Sequence, residues 1–470
     1  MTPVSATPAL TRHATGFARG FLLATAVAWH ERCAFLTAWL TLARWGTAAT
    51  GYGLHATEAM VVLGALVVPA LCLPALTGGI ADRIGLKPAI RRALLFELAG
   101  LACLGLAATF WWVLAGAALM GLGVGLARPA LHALIARCTT ADNGPVGWSL
   151  AFGGFAVAAL VATLHVIAPP GLSPGLGVGL ILVALVLLWR VREPGPPGGE
   201  APAQVAPAGR EGAWRALAAP SLVPLLVGAG LAHVAILQTH EHLPAYTVAW
   251  GITNAASPEH ARVVDHIGQR LGLVRQFATA LLALPLALLT CQLRPLAALQ
   301  LGAGLTGVGI ALAVATQAYA AAVSGVVVVA LGELLVMPRL LAHLAQLAPA
   351  NRLASRLGLA DLPQGLAWLV VWGLGGPLYT HLADRTSLAR GWLQQAGGTP
   401  PTAPAGLTDE GVLALLARAM HATVNGATDQ LWRATHPQLA WVPVIVVALA
   451  AGWVWRSGAR QGSPQAEGEP

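Results

Sequence analysis

Charged side chains make up only 10% of this 470-residue chain, against about 25% in a soluble domain. A water-soluble globule of that length lacks the ionic surface to stay dissolved. Ordinary cytosolic enzymes, nucleic-acid binders and disordered proteins are therefore excluded. Lysine is scarcer still: Lys87 is the sole one, and arginine carries the rest of the non-histidine positive charge. The five cysteines (Cys33, Cys72, Cys103, Cys138 and Cys291) lie in or beside apolar stretches without paired spacing. Neither a disulfide framework nor a metal site is expected from them. No nucleophile–base pair, nucleotide loop or cofactor motif stands out, so the chain reads as neither an enzyme nor a cofactor protein. A small-residue cleavage site is missing after the first apolar stretch, which reads as a retained helix rather than a signal peptide.

What the chain does have is apolar length: 56% of it is hydrophobic, with a mean hydropathy of +0.69. A membrane-spanning helix needs about 20 mostly apolar residues. Twelve such stretches can be placed, near 17–44, 54–80, 89–109, 110–137, 146–168, 175–192, 218–248, 268–292, 295–318, 320–347, 356–382 and 437–456. Tryptophans at positions 45, 111, 112, 189, 250, 453 and 455 mark expected interfaces. The net charge of +8 is then explained by the excess of basic residues in cytoplasmic segments, with no need for a nucleic-acid partner. With the N-terminus inside, sixteen of the 27 basic residues fall on the inner side, among them Arg83, Lys87, Arg91, Arg92 and Arg137. Seven fall outside, four of those in one long segment, which the rule weights little. Both termini are expected in the cytoplasm, and the alanine- and arginine-rich composition points to a bacterial inner membrane.

The stretch 193–215 is rich in proline, glycine and alanine and reads as a flexible cytoplasmic linker. It divides the chain into an N-terminal six-helix bundle at 1–192 and a C-terminal one at 216–456. A long outer loop at 384–436 and a cytoplasmic tail at 457–470 complete the plan. Within the loop, Thr408-Asp409-Glu410 reads as a helix start, followed by an apolar stripe at Val412, Leu415, Leu416, Ala419 and Met420. The expected fold is all-α, and six plus six helices around a linker resembles the major facilitator fold. Two bundles there rock around a site at the membrane midplane.

The few charges inside the spans are the informative ones, because a charge at the bilayer centre costs ~2.5–3.5 kcal/mol and normally faces a cavity. The first span carries His30-Glu31-Arg32, where an arginine beside a carboxylate suits proton coupling. The fourth reads Gly121-x-Gly123-x-Gly125-x-x-Arg128-Pro129, small residues for close packing that deliver one arginine into the first bundle. The tenth carries Glu333 in Gly332-Glu333-Leu334, ahead of Pro338 and Arg339, and suits a partner for a substrate ammonium group or a proton carrier. The seventh carries His233, Gln238, His240, Glu241 and His242, with His233, His240 and Glu241 on one face. Arg275 in the eighth is a second candidate for a substrate carboxylate. Asp361 is expected to pair with Arg356. After the second span, Gly78-Gly79-Ile80-Ala81-Asp82-Arg83-Ile84-Gly85, with Arg91 beyond it, forms a cluster able to latch one conformation. Its order is similar to the signature loop of major facilitator transporters.

The same residues resemble the proton-dependent oligopeptide transporters of that superfamily, as a divergent member. That family's first-helix pattern E-x-x-E-R-F-x-Y-Y falls on Ala28, Glu31, Arg32, Cys33, Phe35 and Leu36, keeping the second glutamate and the arginine. Its fourth-helix pattern falls on Gly123, Gly125, Ala127, Arg128, Pro129 and Ala130, with arginine in place of lysine. Its fifth-helix pattern falls on Trp148, Ser149, Phe152, Phe155, Ala156 and Ala158. G-E-L-x-x-x-P followed by L-A-P in the tenth span is the closest match. The resemblance implies a monomeric, proton-coupled symporter of di- or tripeptides or similar zwitterions. Glu31 and Arg32 would couple the proton. Arg32, Arg128, Trp148, Phe152, His233, Gln238 and Glu333 would meet the substrate. Gly79, Asp82, Arg83, Gly85 and Arg91 would form the latch. The expected partners are a peptide-like solute, protons and the lipid bilayer. The loss of both first-helix tyrosines, and of the tyrosine and asparagine of that family's fifth-helix pattern F-S-x-x-Y-x-x-I-N-x-G, favours a rival, an exporter of lipophilic or cationic compounds. A sensor built on a transporter shape is a third class.

Overall fold

The computed structural model describes residues 17, 19–49, 51–140, 142–165, 172–193, 222–251, 260–395 and 408–461. The linker expected at 193–215 lies outside the described residues from 194 onward, as do the tail from 462 and the segment before 17. The first bundle comprises α1 (Arg19–Trp45), α2 (Ala56–Cys72), α3 (Pro74–Ile84), α4 (Leu86–Gly105), α5 (Phe110–Arg137), α6 (Gly144–His165) and α7 (Leu172–Arg190). The second begins with α8 (Val223–Gly251), α9 (His260–Thr290), α10 (Pro295–Val314) and α11 (Tyr319–Gln346). Its eleventh span is segmented into α12 (Leu353–Gly358), α13 (Leu362–Val370), a π-helical turn at Val371–Gly375 and α14 (Gly376–Leu382). Three shorter helices follow, α15 (Arg385–Gln395), α16 (Asp409–Ala419) and α17 (Val424–Thr435), before α18 (Val442–Gln461).

Among the described residues, nine helical stretches are long and apolar enough to cross a membrane, and the bent pair α2–α3 makes a tenth. The spans α1 and α4 complete the expected twelve. Each carries four ionic side chains, Arg19, Glu31, Arg32 and Arg44 in α1 and Lys87, Arg91, Arg92 and Glu97 in α4, which hold its hydropathy down. The expected spans coincide with the observed helices to within about five residues, except that α9 begins eight residues before the expected 268, and the fourth, Phe110–Arg137, coincides at both ends.

Two features are finer than apolar length predicts. The second span bends by 55° where Pro74, lacking an N–H, opens α3. The bend brings Thr77 Oγ1 to donate to the Gly125 carbonyl of α5 at 2.6 Å. The expected helix in the outer segment is present as α16, with Thr408 Oγ1 accepting from Gly411 N at 3.3 Å as its N-cap. Its buried face is Val412, Leu413, Leu416 and Ala417 rather than a stripe through Leu415 and Ala419. It packs with α15 and α17 over the end of the second bundle.

That cap corrects part of the interfacial reading. Trp111, Trp112, Trp189 and Trp453 are exposed, as interface residues should be. Trp250 and Trp455 are buried instead, because each indole N–H finds a carbonyl inside the protein: Ala383 O at 2.8 Å and Leu225 O at 3.1 Å. Around Trp250 the cap builds an aromatic knot, with Trp432 at 5.4 Å and 5.9 Å from the rings of Trp250 and Tyr246, and Trp441 at 5.6 Å from Tyr246. Trp441→Ala removes a fully packed indole from this knot. It is expected to destabilise the second bundle by about 3–5 kcal/mol, seen as a lower unfolding temperature in detergent.

Candidate functional site

A cavity of about 200 Å³ lies between the two bundles. Arg32, Arg128 and Phe152 line it from the first bundle, and His233, Arg275 and Glu333 from the second. Four of the chain's few intramembrane charges, picked out singly along the sequence, thus converge on one space. The helices explain why. α1, α5 and α6 present Arg32, Arg128 and Phe152 near mid-span, while α8, α9 and α11 present the other three from the facing bundle. Apolar walls of Trp39 and Trp368, their rings 5.3 Å apart, join the bundles beside these charges.

The charges are paired, and not all as expected. Arg128 lies 3.5 Å from Asp361, an ion pair crossing the bundles with both side chains almost fully buried. Asp361 was expected to pair with Arg356; instead it stands at the start of α13, where α12 and α13 break the span and turn it towards α5. Glu333 is not free to receive an ammonium group on its own. Arg275 Nη1 donates to its carboxylate at 3.1 Å within the second bundle. Arg32 sits with its guanidinium over the Phe155 ring at 5.2 Å, and Arg128 over Phe35 at 5.4 Å. Both stackings leave polar edges directed elsewhere.

Glu31 is buried behind Arg32, and one carboxylate oxygen has no hydrogen-bond partner. Beside it stands a residue that the sequence reading passed over. Glu97 of α4 is fully buried, neither of its carboxylate oxygens has a hydrogen-bond partner, and Glu31, Arg32 and Arg128 lie within its charge range. The signal was present, since a glutamate inside an apolar span is costly wherever it occurs. Gly123 of α5 makes room for it: a methyl group there would stand 2.5 Å from Glu97 Cγ.

Two of the expected substrate contacts are placed differently. Trp148 does not line the cavity; it is buried behind it, edge-on to His132 at 5.6 Å. Gln238 is buried against the π-helical turn, its amide donating to Gly375 O at 3.5 Å. The histidine cluster of α8 divides. His233 and His240 line the cavity, His242 packs on Tyr379 at 5.3 Å, and Glu241 is exposed. Among the described residues no three His, Cys, Asp or Glu side chains are grouped as for a metal ion. Arg339 is occupied structurally, its guanidinium donating to the Thr290 carbonyl at 2.6 Å and hydroxyl at 3.0 Å at the C-terminus of α9.

At one end of the bundles the latch is made by a carboxylate on backbone. Asp82 Oδ1 accepts from Ala354 N at 2.9 Å, and Oδ2 from Ser355 N at 2.8 Å and Ser355 Oγ at 2.5 Å. The two N–H groups are orphan donors at the N-terminus of α12, where the helix dipole favours a negative charge. Gly78 permits the approach, since a Cβ there would collide with the backbone of Ala354 and Ser355. Gly79 lies one step off the contact, with Ser355 Oγ its nearest neighbour. Gly85 takes φ +91° to turn α3 into α4. Arg91 is on the outer surface, beside Lys87, away from the junction between bundles.

The family model of the Major Facilitator Superfamily matches residues 32–371. The human organic anion transporter MFSD10 (TETRAN) superposes with a TM-score of 0.62 at 14% identity, covering 93% of this chain and 100% of its own. A mutant of the peptide transporter POT gives a TM-score of 0.57 at 17% identity, over 94% of both chains. A variant of the E. coli fucose:proton symporter FucP gives 0.58 at 12% identity, over 92% of this chain and 98% of its own. No curated protein sequence matches the chain.

Proposed function

Because the chain belongs to the Major Facilitator Superfamily, we propose that it is a secondary active transporter that couples a small zwitterion, such as a di- or tripeptide, to an inward proton gradient. One observation carries the reading: Arg32 and Arg128 on one bundle face Arg275 and Glu333 on the other across a single cavity. A zwitterion matches that arrangement in charge. Its carboxylate meets Arg32, and its ammonium group shares the Glu333 carboxylate with Arg275. A carboxylate brought to Arg32 weakens that arginine's hold on Glu31, and through that contact the buried acids take up a proton. Substrate and proton binding thereby reinforce each other, which is the requirement of a symporter. The basic bias of the segments near Asp82 supports placing that end in the cytoplasm, with 1–192 and 216–456 as the two moving units.

The purified protein in liposomes is expected to accumulate di- or tripeptides when an inward proton gradient is imposed. Uptake that ignores the gradient, or no peptide uptake, overturns this reading. Glu31→Gln is expected to abolish gradient-driven uptake while sparing peptide exchange; equal loss of both refutes the coupling role. The rival reading, export of lipophilic compounds, draws on the aromatic wall of Trp39, Trp368 and Phe152. Three guanidinium groups lining the same space oppose a cationic cargo.

A further inference from the structure

We propose that Glu97 holds the transported proton, and that Asp361, reaching over from the second bundle, sets when that proton is held. The inference rests on the proton-coupled reading above and assigns its proton to an atom group that reading did not use.

The argument is a charge count in a place that tolerates no imbalance. Arg32 and Arg128 supply two positive charges, and Glu31, Glu97 and Asp361 supply three negative ones. Glu31, Glu97, Arg128 and Asp361 are each no more than 4% exposed. An uncompensated charge buried at this depth is strongly unfavourable, and a carboxylate can neutralise itself by taking a proton. One proton makes the cluster neutral. Among the three acids, Asp361 is already engaged with Arg128, and Glu31 adjoins Arg32 in sequence and space. Glu97 alone has two buried oxygens and no hydrogen bond to either. His132, on α5 one turn beyond Arg128, is the other titratable group near the cluster. It packs on Trp148, and charging it would add a positive group next to two arginines. The remaining neighbours of α4 add nothing central: α7 brings no ionic side chain before Arg190, and α3 brings Asp82 and Arg83 at its far end.

The ion pair that crosses the bundles makes the count depend on conformation. With Asp361 docked, as here, the cluster is one negative charge in excess and retains a proton. When the bundles part at the Asp82 end, Asp361 leaves with α13. Two arginines then face two glutamates, the count balances without a proton, and the proton departs from Glu97 Oε to water entering at that end. No other bond forms or breaks. Opening towards one side and proton release to that side become one event.

The test follows the protonated-carboxyl C=O band by infrared difference spectroscopy, on the full-length protein in lipid, titrated between acid and alkaline pH. Wild type is expected to show a protonated buried carboxyl that disappears in Glu97→Gln; in Glu31→Gln, which also removes one negative charge, the band remains at acid pH with its titration moved lower. Asp361→Asn removes one negative charge and is expected to move the titration to lower pH by about one unit or more, about a tenfold weaker hold on the proton. If Glu97→Gln does not fold, Glu97→Asp is read instead and should displace the band while keeping it. A band that survives Glu97→Gln unchanged, that is absent from Glu31→Gln even at acid pH, or that ignores Asp361→Asn overturns the proposal. The readout needs no substrate: absent peptide uptake with this titration intact upholds the proton site and overturns the substrate assignment alone.

Discussion

Asp82→Ala is expected to shift the protein from the conformation described here to one open at the Asp82 end by at least about a hundredfold. The carboxylate accepts three hydrogen bonds from Ala354 and Ser355 across the bundles. Bonds to a charged group contribute about 1.5–3 kcal/mol each when water is the alternative partner. Opening rehydrates both sides, so the net bias is smaller than their sum. About 3 kcal/mol is a conservative remainder, and each 1.4 kcal/mol is tenfold in population. Spin labels on cysteines at Ile80 and Asn351, in a background without the native cysteines, report the separation directly. A short distance dominates with Asp82 present, and a long one is expected in Asp82→Ala. Asp82→Asn keeps one acceptor and should fall between. An unchanged distance distribution in Asp82→Ala would falsify the latch. The bias also has a transport consequence, because a protein held open at one end cannot return for the next cycle.

The second large effect concerns the ion pair of Arg128 and Asp361. Removing one member of a buried pair leaves an uncompensated charge and costs about 3–5 kcal/mol. Arg128→Leu does more than that, since it leaves Arg32 as the single cation among three carboxylates. Arg128→Leu and Asp361→Leu are each expected to lower the unfolding temperature sharply and to stop transport. The double variant, with both charges gone, is expected to recover more than half of the lost stability while remaining inactive. A double-mutant cycle on unfolding in detergent measures the coupling. Strictly additive losses would show that the two side chains do not act as a pair.

The spans were legible in the sequence because the bilayer imposes a length and an apolarity that few other folds share. Their breaks were not. Pro74 announces a possible end but not that α2 and α3 meet at 55° with Thr77 reaching α5. The charges inside the spans were legible one at a time, since each is costly in hydrocarbon. Which charge meets which was hidden, because Arg128 and Asp361 lie on different bundles and Arg275 and Glu333 on different helices. Packing alone brings them together. Glu97 shows a different failure. It belongs to a span whose four ionic side chains include three basic ones near its start, and these drew attention to the loop rather than to the acid further along. Trp148 and Gln238 followed from pattern position, which fixes a place along a helix but not which neighbour that face will meet.

The π-helical turn at Val371–Gly375 has its own consequence for the eleventh span. An α-helix advances about 100° per residue, so one extra residue in a wide turn offsets everything beyond it by that angle. The two halves of the span therefore keep different azimuths. Before the turn, Trp368 addresses the cavity; after it, Tyr379 addresses His242 and the aromatic cap. A continuous α-helix through this segment would swing Tyr379 off His242. The wide turn thus acts as a phase shifter, letting one helix serve the seam between bundles with one end and the aromatic cap with the other.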